Sequence, residues 1–101
     1  MSLAHALSAR ALKETSQFKT DKKRIKKSGR HDWEKIRSVV KELLNDRPLD
    51  KKHLDHELSG EYEGVRECHI ESDWLLIYDK VGNVKTGALR LIRTGTHSAL
   101  F

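Results

Sequence analysis

The spacing of the apolar residues changes near residue 49, and this change limits the possible folds more than any other feature of the chain. Between Trp33 and Leu44 apolar side chains recur every three or four residues, which is the period of one helix face. After residue 60 they occur in short alternating or continuous runs, as strands require. A chain of 101 residues has room for one small core. Helices followed by strands therefore predict a single α+β domain over residues 1–101.

Two helices are predicted in the first half of the chain. Asp32 is a good N-cap for the apolar helix, and an earlier helix should run from about Gln17 to Gly29. The short link between them predicts a helical hairpin with antiparallel helices. A short edge strand fits residues 10–14, and residues 1–9 are expected to be a flexible extension.

Three strands are predicted in the second half, and residues 49–60 before them show no regular period. Alternation places Glu67 and His69 on the face opposite Cys68. The same period places Arg93 on one face with the leucines that precede it. A Gly-Asn pair predicts a hairpin before the last strand, so the strands should form an antiparallel meander with the helices on one face of a twisted sheet. The predicted strands cover residues 65–70, 74–78 and 89–93.

The basic charge lies in the first half. Residues 1–54 carry 15 Lys and Arg against 7 Asp and Glu, a balance of +8, and residues 55–101 carry 5 against 8, a balance of −3, which together give the net +5. The first predicted helix holds a dense basic run with Asp21 as its only acid. A run of this density favours contact with a polyanion over a merely solvated helix face. The residues expected to make that contact are Lys22, Lys23, Lys26 and Lys27.

A group of residues in the second half has the chemistry to move protons and to neutralise a phosphate. Histidine titrates near neutral pH, and a guanidinium stabilises developing negative charge. For any one histidine alone, a surface or hydrogen-bonded role is the commoner one. His53 and His56 have a spacing that suits zinc, but too few other ligands are at hand, so no metal or cofactor is predicted. The candidate catalytic residues are His56, His69, Asp73, Arg93 and His97.

The compartment is indicated by what the sequence lacks. Cys68 is the only cysteine, so it cannot form an internal disulfide, and a buried strand position is its expected role. No run approaches the ~20 apolar residues needed to cross a bilayer. Residues 1–12 lack the features of a signal peptide. The expectation is a cytoplasmic protein without a membrane partner.

Two segments, GEYEGVRECHIESDWLLIY and RLIRTGTHSALF, resemble the YafQ-type toxins of the RelE/ParE superfamily. The motifs R-x-x-H-x-x-x-D-W and R-T-G-T-H-x-A-L-F are the specific part of a likeness that runs from about Lys13 to Phe101. The resemblance implies a fold like that of small microbial ribonucleases. It also implies a ribosome-dependent mRNA interferase that cleaves mRNA in the A site of the small ribosomal subunit, touches its rRNA, and is blocked by a RelB/DinJ-like antitoxin.

Carried over by position, the resemblance gives each candidate a role in metal-independent RNA cleavage. Asp73 with His56 or His69 would take the 2′-hydroxyl proton, Arg93 would stabilise the charged transition state, and His97 would protonate the leaving oxygen, with acid and base exchangeable. Trp74 and Phe101 fall on substrate-binding positions. Two departures from the family pattern are Glu57, where proline is expected after the histidine, and the N-terminal extension.

Three other functions fit parts of the same pattern. A non-catalytic RNA-binding or ribosome-binding module would explain the basic helix, and a ParE-like toxin that poisons gyrase would share the fold. A nuclease acting on free RNA would use the same histidines. Binding alone requires cations but no paired acid and base, so the histidine, aspartate and arginine set favours the ribosome-dependent endoribonuclease.

Overall fold

The computed structural model describes residues 9–60 and 64–101. Both predicted helices and all three predicted strands are present, and the predicted edge strand is confirmed as the first element. A two-residue strand, a 3-10 turn and a short last helix were not predicted, and residues 1–8 of the expected extension lie outside the described residues. The elements are β1 (Ala11–Glu14), α1 (Ser16–Ser28), α2 (Trp33–Leu44), a 3-10 turn (Lys51–His53), β2 (His56–Glu57), β3 (Arg66–Glu71), β4 (Trp74–Val81), β5 (Ala88–Gly95) and α3 (His97–Leu100).

The strands form one mixed sheet in the order β1-β5-β4-β3-β2. Strand β1 runs parallel to β5, and the other three pairings are antiparallel. A parallel pair needs a long crossover connection, and here α1, α2 and the central strands supply it. The prediction of an α+β fold with a mainly antiparallel sheet is confirmed.

The helix ends follow from local chemistry. The Thr15 hydroxyl accepts a hydrogen bond from the Phe18 N–H at 3.0 Å, and the Asp32 carboxylate accepts one from the Glu34 N–H at 3.0 Å. Each satisfies a backbone donor that a helix start leaves unpaired. Gly29 ends α1 with a φ of +68°, a conformation that glycine adopts without steric cost.

The main core lies between the helices and one face of the sheet. Cys68 is fully buried there, as predicted, and burial raises the pKa of its thiol. A smaller apolar cluster covers part of the other face, where Leu100 of α3 packs on Leu75 and Ile77. The main core includes Phe18, Ile36, Val39, Leu43, Trp74, Leu76, Tyr78, Leu89 and Leu91.

A bulge in β5 overturns one expectation about faces. Tyr78 pairs with Leu91, yet the preceding residue Ile77 pairs with Arg93, so β5 holds one extra residue at this point. Successive residues of β4 point to opposite faces, so Arg93 lies on the face opposite Leu91. The prediction that the two residues share a face was wrong, because simple alternation fails where a strand is bulged.

The predicted hairpin between β4 and β5 is present, but its connection covers residues 82–87 rather than two residues. The Asn83 side chain accepts hydrogen bonds from the backbone of Lys85 and Thr86, at 2.9 and 3.0 Å. At Gly87 a Cβ atom would lie 2.0 Å from the Val81 carbonyl oxygen, so the turn requires glycine. Within residues 9–60 and 64–101, no helix is long and apolar enough to cross a membrane.

Candidate active site

Four residues from neighbouring strands form one row across the sheet. His56 pairs with Glu67, Glu67 with Ile77, and Ile77 with Arg93. The row lies on the open face of the sheet, which is the face opposite α1 and α2. Strands are about 4.8 Å apart, so Glu67 and Arg93 are separated by roughly 10 Å along the row.

Glu67 lies between two histidines. Its side-chain oxygen Oε1 is 3.5 Å from Nε2 of His56 and 3.7 Å from Nε2 of His69, and the residue is only 5% exposed. The two imidazoles therefore provide the polar neighbours that a buried carboxylate needs.

The other ring nitrogens of these histidines face carbonyl oxygens. Nδ1 of His56 is 2.6 Å from the Leu54 oxygen, and Nδ1 of His69 is 3.2 Å from the Ser72 oxygen. A carbonyl only accepts hydrogen bonds, so we assign the proton to Nδ1 in both rings. The nitrogen left without a proton in each ring is then Nε2, which lies within 4 Å of Oε1 of Glu67. The cluster of His56, Glu67 and His69 therefore turns the basic nitrogens of two imidazoles toward one carboxylate.

Arg93 ends the row and is held by a buried acid of α1. Its Nε is 2.7 Å from Oδ2 of Asp21 and its Nη2 is 3.1 Å from Oδ1, a bidentate pair. Asp21 is 1% exposed and also accepts hydrogen bonds from the Thr94 N–H at 3.1 Å and from Arg24 at 2.5 Å. The guanidinium is therefore fixed in place while its side chain stays 20% exposed.

His97 stands at the start of α3, close to the end of β5. Its backbone N–H donates to Oδ1 of Asp73 at 3.0 Å, and its ring centroid is 5.0 Å from that of Phe101. A second cross-strand row joins His69, Leu75 and Gly95, and His97 follows two residues later. His97 and His69 therefore belong to the same end of the sheet.

The structure thus sorts the five predicted catalytic residues into two groups and a fixed arginine. His56 and His69 share Glu67, whereas Asp73 bonds to the backbone of His97. Among the described residues the acid within 4 Å of both imidazoles is Glu67, and the predicted role of Asp73 in the base stays a prediction. Sequence reasoning missed Glu67 as a site residue, although strand alternation had placed it on the same face as His69.

Two predicted substrate-binding aromatic residues have opposite environments. Trp74 is 1% exposed, its Nε1 donates to the Thr94 hydroxyl at 2.9 Å, and its ring lies 4.6 Å from that of His31. A side chain so buried has no surface to offer an RNA base, so Trp74 belongs to the core. Phe101 is 56% exposed beside His97, where an aromatic ring is able to stack on a base.

The four predicted lysines divide into two pairs along α1. The ammonium groups of Lys22 and Lys26 lie 5.8 and 5.4 Å from the centroid of the Trp33 ring, within cation–π range. Lys23 and Lys27 are exposed. Because α1 packs on the face opposite the row, these lysines and the row lie on different sides of the sheet.

One ring nitrogen of each histidine in the spacing that suits zinc is engaged by a carbonyl oxygen. Nδ1 of His53 is 2.6 Å from the His69 carbonyl oxygen, and Nδ1 of His56 bonds to that of Leu54. No three histidine, cysteine or acidic side chains within the described ranges are grouped so as to hold a metal ion.

Known proteins are similar to this chain in both sequence and fold. The family described as bacterial toxin of type II toxin-antitoxin system, YafQ, matches residues 10–101. The mRNA interferase toxin YafQ of Escherichia coli strain K12 is 38% identical over 94 residues, 91% of this chain and 96% of that protein.

Two solved structures agree with that match. The crystal structure of YafQ from E. coli strain BL21(DE3) has a TM-score of 0.81 at 35% identity, covering 91% of this chain and 98% of that one. The E. coli DinJ-YafQ toxin-antitoxin complex gives 0.80 at 36% identity, covering 92% and 98%. The chain therefore belongs to the YafQ family of toxins from bacterial type II toxin–antitoxin systems.

Proposed function

We propose that this protein is a ribosome-dependent mRNA interferase, an endoribonuclease that cuts mRNA in the ribosomal A site and stops translation. The observation that carries the proposal is the row from His56 and Glu67 to Arg93 on the open face, with His69 and His97 beside it at one end of the sheet. The similarity to the mRNA interferase of E. coli supports the same activity.

The proposed reaction is attack of the 2′-hydroxyl on the adjacent phosphate. His56 or His69 takes the hydroxyl proton, the 2′-oxygen bonds to phosphorus, and the bond to the 5′-oxygen breaks. Glu67 orients both imidazoles and offsets the positive charge that the base gains. The products are a 2′,3′-cyclic phosphate and a 5′-hydroxyl, and no metal takes part in this mechanism.

Arg93 and His97 complete the proposed set. The guanidinium of Arg93, held by Asp21, stabilises the extra negative charge of the five-coordinate transition state. His97 protonates the departing 5′-oxygen, and Asp73 fixes the backbone from which its ring projects. The exposed Phe101 ring beside it stacks on a base next to the scissile phosphate.

Dependence on the ribosome is supported by the incomplete enclosure of this arrangement. His56 and His97 are exposed and Arg93 is partly exposed, so in this proposal the ribosome holds the message in line for attack. The four lysines of α1 lie on the other side of the sheet and bind ribosomal RNA there through its phosphates. The cognate partner is a DinJ-like antitoxin, as in the DinJ-YafQ complex, and the net charge of +5 suits an acidic one.

The decisive experiment induces the chain in bacteria and maps mRNA 5′ ends. We expect growth arrest, new 5′ ends at A-site codons, and recovery when the cognate antitoxin is co-expressed. Purified toxin with programmed ribosomes should leave cyclic-phosphate ends in the presence of a chelator. Normal growth at high soluble expression would reject a toxin, and inhibited DNA supercoiling without mRNA cleavage would favour the gyrase alternative.

A further inference from the structure

His56 is carried by the least supported strand of the sheet. Strand β2 has only two residues, lies at the sheet edge and pairs with β3 alone. Such a strand has few backbone hydrogen bonds to fix it. Because side chains alternate along a strand, Asp55 and Glu57 point away from the open face when His56 points toward it.

Side-chain contacts on the helix-covered face hold both neighbours of His56. The Tyr78 hydroxyl donates to Oδ1 of Asp55 at 2.5 Å. Arg66 donates to the same carboxylate at 3.4 and 3.2 Å, and its Nη1 lies 3.8 Å from Oε1 of Glu57. The residues before and after His56 are thus both tied to the sheet.

Asp55, Arg66 and Tyr78 form a clamp on the His56 segment. This clamp is rigid because the Tyr78 ring belongs to the main core and is 1% exposed. Burial, and then the hydrogen bond to Asp55, raise the pKa of the phenol, so it stays a neutral donor. The Asp55 carboxylate likewise raises the pKa of Arg66. Tyr78 therefore stays neutral, and Arg66 stays charged, at every pH at which an imidazole titrates.

The backbone before His56 is also held in an uncommon shape. Leu54 has a φ of +47°, which a bulky residue rarely adopts without support from its surroundings. The support includes the ring of His53, whose Nδ1 is 2.6 Å from the His69 carbonyl oxygen. This strained turn places the Leu54 oxygen 2.6 Å from Nδ1 of His56.

We infer that Asp55, held by Tyr78 and Arg66, is a positioning residue that fixes the His56 ring against Glu67. The inference rests on the proposed role of His56 in RNA cleavage. It means that a phenol packed in the core sets the geometry of a proton-transfer group on the opposite face. A displacement of about 1 Å at a reacting group can cost on the order of 10²-fold in rate.

The test uses Tyr78→Phe and Asp55→Asn, which remove the hydrogen bond or the charge but keep side-chain volume. We expect single-turnover cleavage of A-site mRNA to fall by about 10- to 100-fold, with little change in ribosome affinity. Asp79→Asn is the matched control, because Asp79 pairs with Arg90 and, among the described residues, no hydrogen bond or ion pair joins its side chain to the His56 segment. It should cleave at the wild-type rate.

A double-mutant cycle separates positioning from general stability. In a His56→Ala background, Tyr78→Phe and Asp55→Asn should cause no further loss, because the group they position is gone. The nitrogen resonances of the His56 ring in NMR spectra should shift in both variants and stay unchanged in Asp79→Asn.

Each outcome decides one question. Equal losses of cleavage in the presence and absence of His56, or unchanged His56 resonances in both clamp variants, would overturn the inference. Full cleavage by His56→Ala would instead reject its proposed role, while the resonances would still report whether the clamp positions the ring. Tyr78→Phe keeps the core ring and its packing, so it remains informative if Asp55→Asn fails to fold.

Discussion

The helix-covered face and the open face of the sheet are built from the same strands, but on the open face titratable side chains lie beside a small apolar cluster. On the first, Leu76 and Tyr78 are at most 1% exposed and pack with the helices. On the second, Glu67 lies within 4 Å of two imidazoles. The two kinds of surface are separated only by the alternation of side chains along each strand.

Adjacent residues of β3 show how sharp the separation is. Cys68 is fully buried among apolar side chains, and burial raises the pKa of its thiol, so it acts as a small packing residue. Its neighbour Glu67 contacts the candidate proton-transfer groups. Substitutions one position apart should therefore affect different properties, stability on one face and cleavage on the other.

The largest expected effect tests the open face. His97→Ala and Arg93→Ala should each slow cleavage of A-site mRNA by about 10²- to 10⁴-fold, because each removes a proton donor or a charge that stabilises the transition state. Asp73→Asn should slow it as well, since Asp73 holds the backbone of His97. Rates are measured in single turnover, with ribosome and antitoxin binding retained.

Leu76→Ala on the helix-covered face is the matched control for these variants. It should cost about 2–5 kcal/mol of folding free energy through lost packing. Below its unfolding temperature it should cleave at nearly the wild-type rate. Full activity in His97→Ala or Arg93→Ala, or a large rate loss in folded Leu76→Ala, would contradict the assignment of cleavage to the open face and of stability to the helix-covered face.

The next largest effect concerns an ion pair that links the faces. Asp21→Asn removes the buried charge that pairs with the Arg93 guanidinium, which should cost about 3 kcal/mol or more. The unfolding temperature should fall by roughly 10–20 °C.

Because the same change releases Arg93 from its position, cleavage measured below the unfolding temperature should fall as well. A lower unfolding temperature together with slower cleavage is the result expected of a residue that contributes to both stability and catalysis. An unchanged unfolding temperature would indicate that Asp21 contributes nothing to the stability of the fold. An unchanged cleavage rate would indicate that Arg93 acts without the ion pair to Asp21.

Much of the helix-covered side could be predicted from the sequence. Helix α2 has an N-cap at Asp32 and an apolar residue every three or four positions, and local interactions decide both features. The continuous apolar run from Trp74 to Tyr78 likewise identified a buried central strand. The family motifs identified the candidate histidines of the open face before their geometry was known.

The connections between the faces could not be predicted, because they depend on pairings distant in sequence. Asp21 and Arg93 are 72 residues apart, and a lone acid in a basic helix normally faces solvent. The bulge at β5 has no sequence signature, yet it moves Arg93 to the other face. Strand β2 is too short to show any hydrophobic period, so the pairing of His56 with Glu67 could not be predicted from the sequence.

A smaller effect is expected when the lysines of α1 are replaced. Lys23→Gln with Lys27→Gln should weaken ribosome binding and reduce the slope of log affinity against log salt by about one for each lost phosphate contact. Lys22→Gln with Lys26→Gln should do the same. It should also cost about 0.5–1 kcal/mol of stability per residue, because these ammonium groups lie over the Trp33 ring.

Binding is measured across a salt series, with thermal unfolding in parallel. The two double variants are matched in charge and differ in contact with Trp33 and in the ion pair of Lys22 with Glu14, 3.6 Å long. Unchanged ribosome affinity in both double variants would mean that the lysines of α1 form only a solvent-exposed helix face. A stability loss equal in both would contradict the contribution of the Trp33 contacts.

The smallest effect concerns the acid stability of the helix-covered side. Arg10 donates to both oxygens of Asp46, at 2.7 and 3.1 Å, and to the Gly82 carbonyl at 2.8 Å, so it joins the end of α2 to the hairpin between β4 and β5. The hydrogen bond from Arg10, with help from Lys80, lowers the pKa of Asp46 from 3.8 to about 2.

A pKa lowered in the folded state stabilises the fold while the carboxyl is ionised. The contribution of Asp46 is complete above about pH 4 and is lost as the pH falls from 3.8 toward 2. Unfolding temperatures of the wild type should fall in this window, and those of Asp46→Asn should fall less. Some acid sensitivity should remain, because Lys35 and then His31 also lower the pKa of Glu71. Parallel acid profiles for the two proteins would mean that Arg10 is held by backbone carbonyls alone, and the charge on Asp46 would then have no part in joining α2 to the hairpin.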